Sequence, residues 1–447
     1  MRSKEGAMTI TIDEALTRGG IGRFQWRLLG IFGLVWAADA MQVISVGFSA
    51  PSIAASFGLS VPQAIQYTGT LFFLGMFVGA YLFGRLADRI GRRRVLLITV
   101  AADAIFGLAA AFAPSLGALM ALRFITGMAV GGTLPVDYAM MAEFLPPKNR
   151  GRWLVWLEGF WAVGTIVIAL TAWLASVNGA AEAWRWIFAV AAFPALIGFW
   201  LRLWLPESPM FLVRHDRQDE VRHVMNRVLT TNGKAPLPEG SRITTASHDP
   251  ASETSIFAPA LRARTLGILI VWFLVSLSYY GVFIWLPGQL AGEGFGFVRG
   301  YGFLLILALA QVPGYALAAW GVENLGRRVT LMGFLLASAA GCFLFTIATS
   351  ATMIAAALIL MSFALLGTWG ALYAFTPELY PTALRGTGMG TASAIARLGG
   401  ILAPSLLGAI IAKGFGLAIG TFALLLVLAA IALAVLVRTE TRDRAIG

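Results

Sequence analysis

Gly84-Arg85-Leu86-Ala87-Asp88-Arg89-Ile90-Gly91-Arg92-Arg93-Arg94 decides the fold, because its core returns later in the chain. Asp88-x-x-Gly91-Arg92-Arg93 lies between the second and third apolar stretches. Glu323-x-x-Gly326-Arg327-Arg328 lies between the eighth and ninth, 235 positions on. Glu143, Arg150 and Gly151 follow the fourth stretch, and Glu378, Arg385 and Gly386 follow the tenth at the same offset. One offset that aligns two separate motifs on matching loops indicates a duplicated six-helix unit in parallel orientation, with a ligand site expected between the copies near mid-membrane.

The stretches themselves place the chain in a bilayer. Apolar residues make up 58 % and charged residues 12 %, with a mean hydropathy of +0.79. A soluble domain carries about twice that charged share. Runs of roughly 20 or more apolar residues occur near 28–49, 64–84, 95–113, 118–144, 153–177, 184–205, 265–290, 300–321, 329–350, 352–376, 386–412 and 415–437. The expected fold is an all-α membrane protein: twelve transmembrane helices in two pseudo-symmetric six-helix bundles, 28–205 and 265–437. Residues 1–27 precede them, a linker at 206–264 with an amphipathic helix at 208–229 joins them, and 438–447 form a tail. The first stretch is too long for the apolar part of a cleaved signal, so it reads as a retained span.

Threading these spans through a membrane puts all but five of the 33 Lys and Arg on one side. Arg185, Arg299 and Lys413 fall on the other side, and Arg123 and Arg397 are left inside. This positive-inside pattern makes both termini and the linker cytoplasmic. It also accounts for the net charge of +11 without a nucleic-acid partner. The lone Cys342 excludes an intrachain disulfide, and His215, His223 and His248 all lie in the linker. No Ser/His/Asp set, metal-ligand spacing or Gly-x-x-x-x-Gly-Lys-Ser/Thr loop is present, so the chain is expected to be no enzyme, to bind no metal or cofactor, and not to be driven by ATP.

The loop at 84–94 resembles the signature of the major facilitator superfamily. Pro206-Glu207-Ser208-Pro209 and Pro377-Glu378-Leu379-Tyr380-Pro381 resemble its sugar-porter-like branch. The resemblance implies that Asp88, Arg92, Glu143, Arg150, Glu323, Arg327, Glu378 and Arg385 latch the cytoplasmic ends, so they are assigned to gating rather than to substrate.

Asp39 is a carboxylate inside the first span, a costly placement that marks a functional candidate. Span one runs outward and span four inward, so Asp39 and Arg123 differ in depth by only about 7 Å, within reach of an Arg side chain. An ion pair that forms and breaks is a natural proton switch. In sugar-porter-like proton symporters an acid on helix 1 and an Arg on helix 4 have this role, and the resemblance assigns proton coupling to Asp39 and Arg123.

Arg397 lies near mid-depth of span eleven, where an Arg costs roughly 3 kcal/mol and needs a partner. Backbone carbonyls, water, Asp39, Glu158 or an anionic substrate remain open, since Glu293, Glu323 and Glu378 are at span ends. Related organic-anion transporters carry an Arg in a similar Ala-Arg-x-Gly context, which implies a carboxylate held by its planar fork. Trp161, Tyr279, Tyr280, Trp369 and Tyr373 fall well inside spans five, seven and ten, away from the interfacial belts. Under the repeat offset Tyr373 matches Tyr138, and Trp161 matches a position beside Arg397. These residues are expected to surround one central volume suited to a flat ring with a carboxylate.

Trp36-Ala37-Ala38-Asp39-Ala40-Met41, Gly132-Thr133-Leu134-Pro135-Val136-Asp137-Tyr138 and Glu158-Gly159-Phe160-Trp161 resemble the group that contains synaptic vesicle protein 2 and bacterial niacin transporters. Asp39, Trp161, Tyr279, Tyr280 and Trp369 have counterparts in the vesicle protein's ligand site. Tyr373 and Gln42 depart from acids in that group. The resemblance implies a proton-coupled importer of niacin, with nicotinamide as a second candidate substrate, working as a monomer in a bacterial inner membrane; a Tyr hydroxyl or Gln42 is the expected donor to the ring nitrogen. Hydroxybenzoate-like acids or sugars, and a non-transporting receptor or scaffold, are the competing expectations.

Overall fold

The structure, a computed structural model, describes residues 9–245, 255–292, 300–381, 384–411 and 413–441. Glu293, Arg299 and His248 lie outside them. The order is β1 (Thr9–Thr11), α1 (Ile12–Gly19), α2 (Arg23–Phe57), α3 (Val61–Ile90), α4 (Arg92–Ala110), α5 (Leu116–Glu143), α6 (Arg150–Val177), α7 (Ala183–Arg202), α8 (Pro209–Arg214), α9 (Gln218–Thr231), β2 (Arg242–Thr244), α10 (Arg262–Gly292), α11 (Tyr301–Asn324), α12 (Arg327–Thr346), α13 (Ala351–Phe375), α14 (Arg385–Ile411) and α15 (Phe415–Leu436). Twelve of these, α2–α7 and α10–α15, form the two six-helix bundles. Eleven are long and apolar enough to cross a membrane among the described residues, and the 27-residue α14 is the twelfth.

Helix ends follow the local sequence. At the end remote from the basic loops, α3, α5 and α13 start at Ser60, Ser115 and Ser350, whose hydroxyls accept from the third helical amide. At the basic end, α3 turns into α4 through Gly91 at φ 101°, and α11 into α12 through Gly326 at φ 106°. Only glycine takes that backbone without strain. Within the first bundle α3 and α5 meet at two reciprocal glycine pairs. A Cβ on Gly75 or Gly79 would strike the carbonyls of Phe124 and Met128, and one on Gly127 or Gly131 those of Phe72 and Met76. Small residues four apart let helices approach closely where lipid offers no hydrophobic drive.

The bundles meet along α2 with α10, α3 with α14, and α6 with α11. The last two contacts exchange under the repeat offset. Where the symmetry maps a contact onto itself, Tyr138 of α5 meets its own mate Tyr373 of α13, ring centroids 5.0 Å apart, and donates to the Tyr373 carbonyl at 3.0 Å.

The segment before α2 and the linker build one small assembly. β1 pairs in parallel with β2, Thr9 opposite Arg242, and α1 packs on α9. Asn232 ties this assembly to the start of α2 by accepting from the Phe24 amide and donating to Gln25. The expected single helix over 208–229 is two helices. Asp216 takes φ 52°, a left-handed conformation that Asp tolerates, and ends α8 before α9 begins. The first span is also longer than its apolar stretch, because α2 starts at Arg23 and continues through Pro51 to Phe57.

Candidate functional site

A cavity between the bundles is lined by Trp36 (α2), Leu134 (α5), Glu158 and Trp161 (α6), Tyr279 and Tyr280 (α10), Tyr315 (α11), Leu366, Trp369 and Tyr373 (α13), and Ala396 and Arg397 (α14). The side chains close in on one another, so that little open space is left between them in this structure. All five aromatic residues expected around a central volume are in this wall, with Arg397. Trp161 donates its indole N–H to the Tyr279 hydroxyl at 2.7 Å, which fixes both rings. Tyr279 faces Trp369 edge-on at 5.9 Å, and Trp272 stands behind Trp369 and Tyr373 at 5.4 and 4.7 Å.

Arg397 is 3 % exposed. Its guanidinium reaches the Tyr280 hydroxyl at 3.5 Å, a long contact, and its Nε has no hydrogen-bond partner among the described residues. The indole N–H of Trp369 and Oε1 of Glu158 are likewise buried without partners. Glu158, 2 % exposed, shares the cavity with Arg397 but forms no direct ion pair with it among the described residues. The site therefore offers one cation, one acid and several indole and phenol groups inside an aromatic wall. Such a set can stack a flat ring and hold a carboxylate.

Gln42 is not in this wall. It lies six residues beyond Trp36, about 240° round the helix at 100° per residue, and so faces the interior of the first bundle. There it is the partner of Arg123, which donates to Oε1 and to the carbonyl of Gln42, both at 2.7 Å, and lies over the ring of Phe72 at 4.2 Å. The expected Asp39–Arg123 ion pair is absent from this structure; Gln42, three residues further out, occupies the two terminal guanidinium nitrogens of Arg123. Asp39 is wholly buried outside the cavity, its carboxylate without a hydrogen-bond partner among the described residues. The charged groups around it are Asp103, Asp137, Arg202 and Arg397.

Three of those four were not singled out by the sequence reading. Arg202 was counted with the basic loops, yet it is fully buried and pairs with the equally buried Asp137. Asp103 is buried on α4, one turn before Gly107, where its Oδ1 and the Gln42 amide converge. The depth argument applied to Asp39 would have found Asp103 and Asp137, since both lie inside apolar spans.

At the basic end the gating candidates form two matching clusters. Arg92 pairs with Glu143, which also accepts from Ser208. Arg327 pairs with Glu378 at 2.9 Å, which also accepts from Thr441 at 2.6 Å. Glu207 accepts from the Arg93 amide at 3.0 Å, as Glu440 accepts from the amides of Arg327 and Arg328 at 2.9 and 3.1 Å. Each carboxylate thus closes the start of a helix, where the dipole favours an anion. Arg150 binds Asp13 of α1 at 2.8 Å, and Glu323 approaches Arg152 of the other bundle at 3.9 Å. Asp88 is exposed and makes no ion pair among the described residues. The side chain of Arg385 lies outside the described residues.

Residues 39–446 match the protein family described as "Sugar (and other) transporter". The chain is similar to the niacin transporter NiaP of Acinetobacter baylyi, 36 % identical over 86 % of this chain and 87 % of that protein. It is also similar to the synaptic vesicle 2-related protein of Xenopus laevis, 31 % identical over 95 % of this chain and 80 % of that one. Among solved structures, the proton:xylose symporter XylE of E. coli superposes with a TM-score of 0.77 at 17 % identity, covering 94 % of this chain and 97 % of that one.

Proposed function

We propose that this chain, which belongs to the sugar (and other) transporter family of the major facilitator superfamily and is a secondary transporter rather than an enzyme, carries nicotinate or a closely similar small aromatic carboxylate. The observation that carries this reading is Arg397, a buried guanidinium without a carboxylate partner, set in a cavity walled by Trp36, Trp161, Tyr279, Tyr280, Trp369 and Tyr373. A ring stacks on these faces while its carboxylate takes the fork of Arg397. A Tyr hydroxyl or the Trp369 indole N–H, rather than Gln42, serves a ring nitrogen. The likeness to a niacin transporter supports the choice of ring.

Transport is by alternating access in a bacterial inner membrane, with the basic end, both termini and the linker cytoplasmic and the protein working as a monomer. Asp39 carries the coupling proton: it is a buried acid with no hydrogen-bond partner, next to the paired Asp137 and Arg202. Arg123 is engaged by Gln42 in this state, so its pairing with Asp39 belongs to another state of the cycle. The Arg92–Glu143 and Arg327–Glu378 clusters hold the cytoplasmic helix ends during the cycle.

The test is uptake of radiolabelled nicotinate into proteoliposomes with an imposed inward proton gradient. Wild type is expected to accumulate it, Arg397→Ala to lose uptake, and Asp39→Asn to equilibrate without accumulation. Uptake of nicotinate by Arg397→Ala at the wild-type rate would remove the anchor from the proposal. Accumulation by Asp39→Asn with unchanged pH dependence would remove the proton carrier.

A further inference from the structure

The central cavity has its own charge balance, separate from that of the first bundle. Among the described residues, Arg397 and Glu158 are its charged groups, and both are almost completely buried. The other titratable groups facing Glu158 are phenols: Tyr279 and Tyr280 from α10, Tyr315 from α11, Tyr373 from α13 and Tyr138 from α5. α2 contributes Trp36, an uncharged neighbour. Asp39 is outside the wall. When ionised, Glu158 is the counter-charge that the cavity wall itself offers to Arg397.

A carboxylate arriving at Arg397 changes that count to two negative charges against one positive, in a space from which water is largely excluded. Like charges sharing a site cannot both stay ionised at low cost, and an uncompensated buried carboxylate takes up a proton instead. The substrate carboxylate gains the bidentate fork. Glu158, which forms no ion pair with Arg397 and whose Oε1 has no hydrogen-bond partner among the described residues, is the acid left to take the proton.

We propose that Glu158 is the group that exchanges a proton for substrate: each carboxylate seated on Arg397 takes over the balancing charge, and Glu158 binds one proton in return. This rests on the carboxylate reading given above and goes beyond it. It makes proton binding and anion binding one event in the cavity, while Asp39 acts separately within the first bundle. A neutral analogue such as nicotinamide leaves the Glu158–Arg397 balance intact and takes up no proton. Protonated Glu158 also gains an O–H that can donate to the ligand.

The experiment is calorimetric titration of the purified protein with nicotinate, and separately with nicotinamide, in buffers of different ionisation heat, which counts protons taken up per ligand. At a pH where the free protein holds Glu158 ionised, wild type is expected to take up about one proton per nicotinate and none per nicotinamide. On that alkaline limb nicotinate affinity falls about tenfold per pH unit. Glu158→Gln is expected to bind nicotinate with no such uptake and a flat pH profile. Should Glu158→Gln misfold, the wild-type comparison of the two ligands still decides. Proton uptake by Glu158→Gln equal to wild type, or nicotinate binding by wild type without uptake at any pH, would overturn the proposal. Failure of wild type to bind nicotinate at all while binding another ligand is a different result: it discards the carboxylate reading, and this inference with it.

Discussion

Replacing Arg202 by Met isolates Asp137 in the interior of the first bundle. Both side chains are fully buried and paired with each other, and Asp137 Oδ1, Arg202 Nε and Arg202 Nη1 have no further partner among the described residues. Among the described residues no other group pairs with the carboxylate once the guanidinium is gone. Breaking a buried pair by removing one member costs about 3–5 kcal/mol, whereas replacing both members by apolar residues of similar volume is often neutral. Arg202→Met and Asp137→Leu singly should therefore each lower the thermal midpoint of the detergent-solubilised protein, on the order of 5 °C. The double variant should recover most of that loss, a strongly non-additive cycle. The assay is a thermal unfolding series on all four proteins at one pH and one detergent concentration. Single variants within about 1 °C of wild type, or a double variant at the sum of the singles, would refute the reasoning and mean that the pair holds no net charge interaction.

Arg397→Gln should weaken nicotinate binding about 10- to 100-fold, the worth of one charge-assisted contact, while nicotinamide binding changes little; quenching of the cavity tryptophans would report both. Gly326→Ala should cost about 1–2 kcal/mol, because φ 106° disfavours a Cβ and Glu440 crowds the position, whereas Gly333→Ala, with open space around it on α12, should stabilise by about 0.5–1 kcal/mol in the same melting assay. Gln42→Leu removes the side-chain acceptor of Arg123 and leaves the carbonyl, so it should destabilise by about 1–3 kcal/mol.

The fold was legible because two independent periodicities agree: apolar runs of span length, and the repeat that aligns Arg92 with Arg327 and Glu143 with Glu378. The cavity was legible for the residues whose placement is anomalous in a bilayer. Arg397 is a charge at mid-depth, and Trp161, Tyr279, Tyr280, Trp369 and Tyr373 are amphipathic rings far from the interface. Position round the helix was harder to read than depth. Gln42 and Trp36 share α2 and a similar depth, but rotation separates them, and one line of sequence gives no absolute rotation without knowing which face meets the other bundle. The same gap concealed the partner of Arg123. Arg202 was missed for another reason. It ends α7 next to the basic linker, where counting charges by loop absorbs it, and only the packing of α7 against α2 and α4 reveals that it points inward.

Pro206-Glu207-Ser208 and Thr439-Glu440-Thr441 occupy equivalent posts, although one triplet opens a linker and the other looks, in sequence, like the start of a dispensable tail. Glu440 covers the amides of Arg327 and Arg328 and crowds Gly326, while Thr441 binds Glu378. For anyone building variants, the second bundle ends at residue 441 and not where α15 ends at Leu436. A reporter or purification tag joined directly after Val437 would strip the keystone from the α11–α12 turn, and the resulting loss of expression would be misread as an intolerance of fusions. Attached beyond Thr441, the same tag leaves both halves of the duplicated unit equally buttressed.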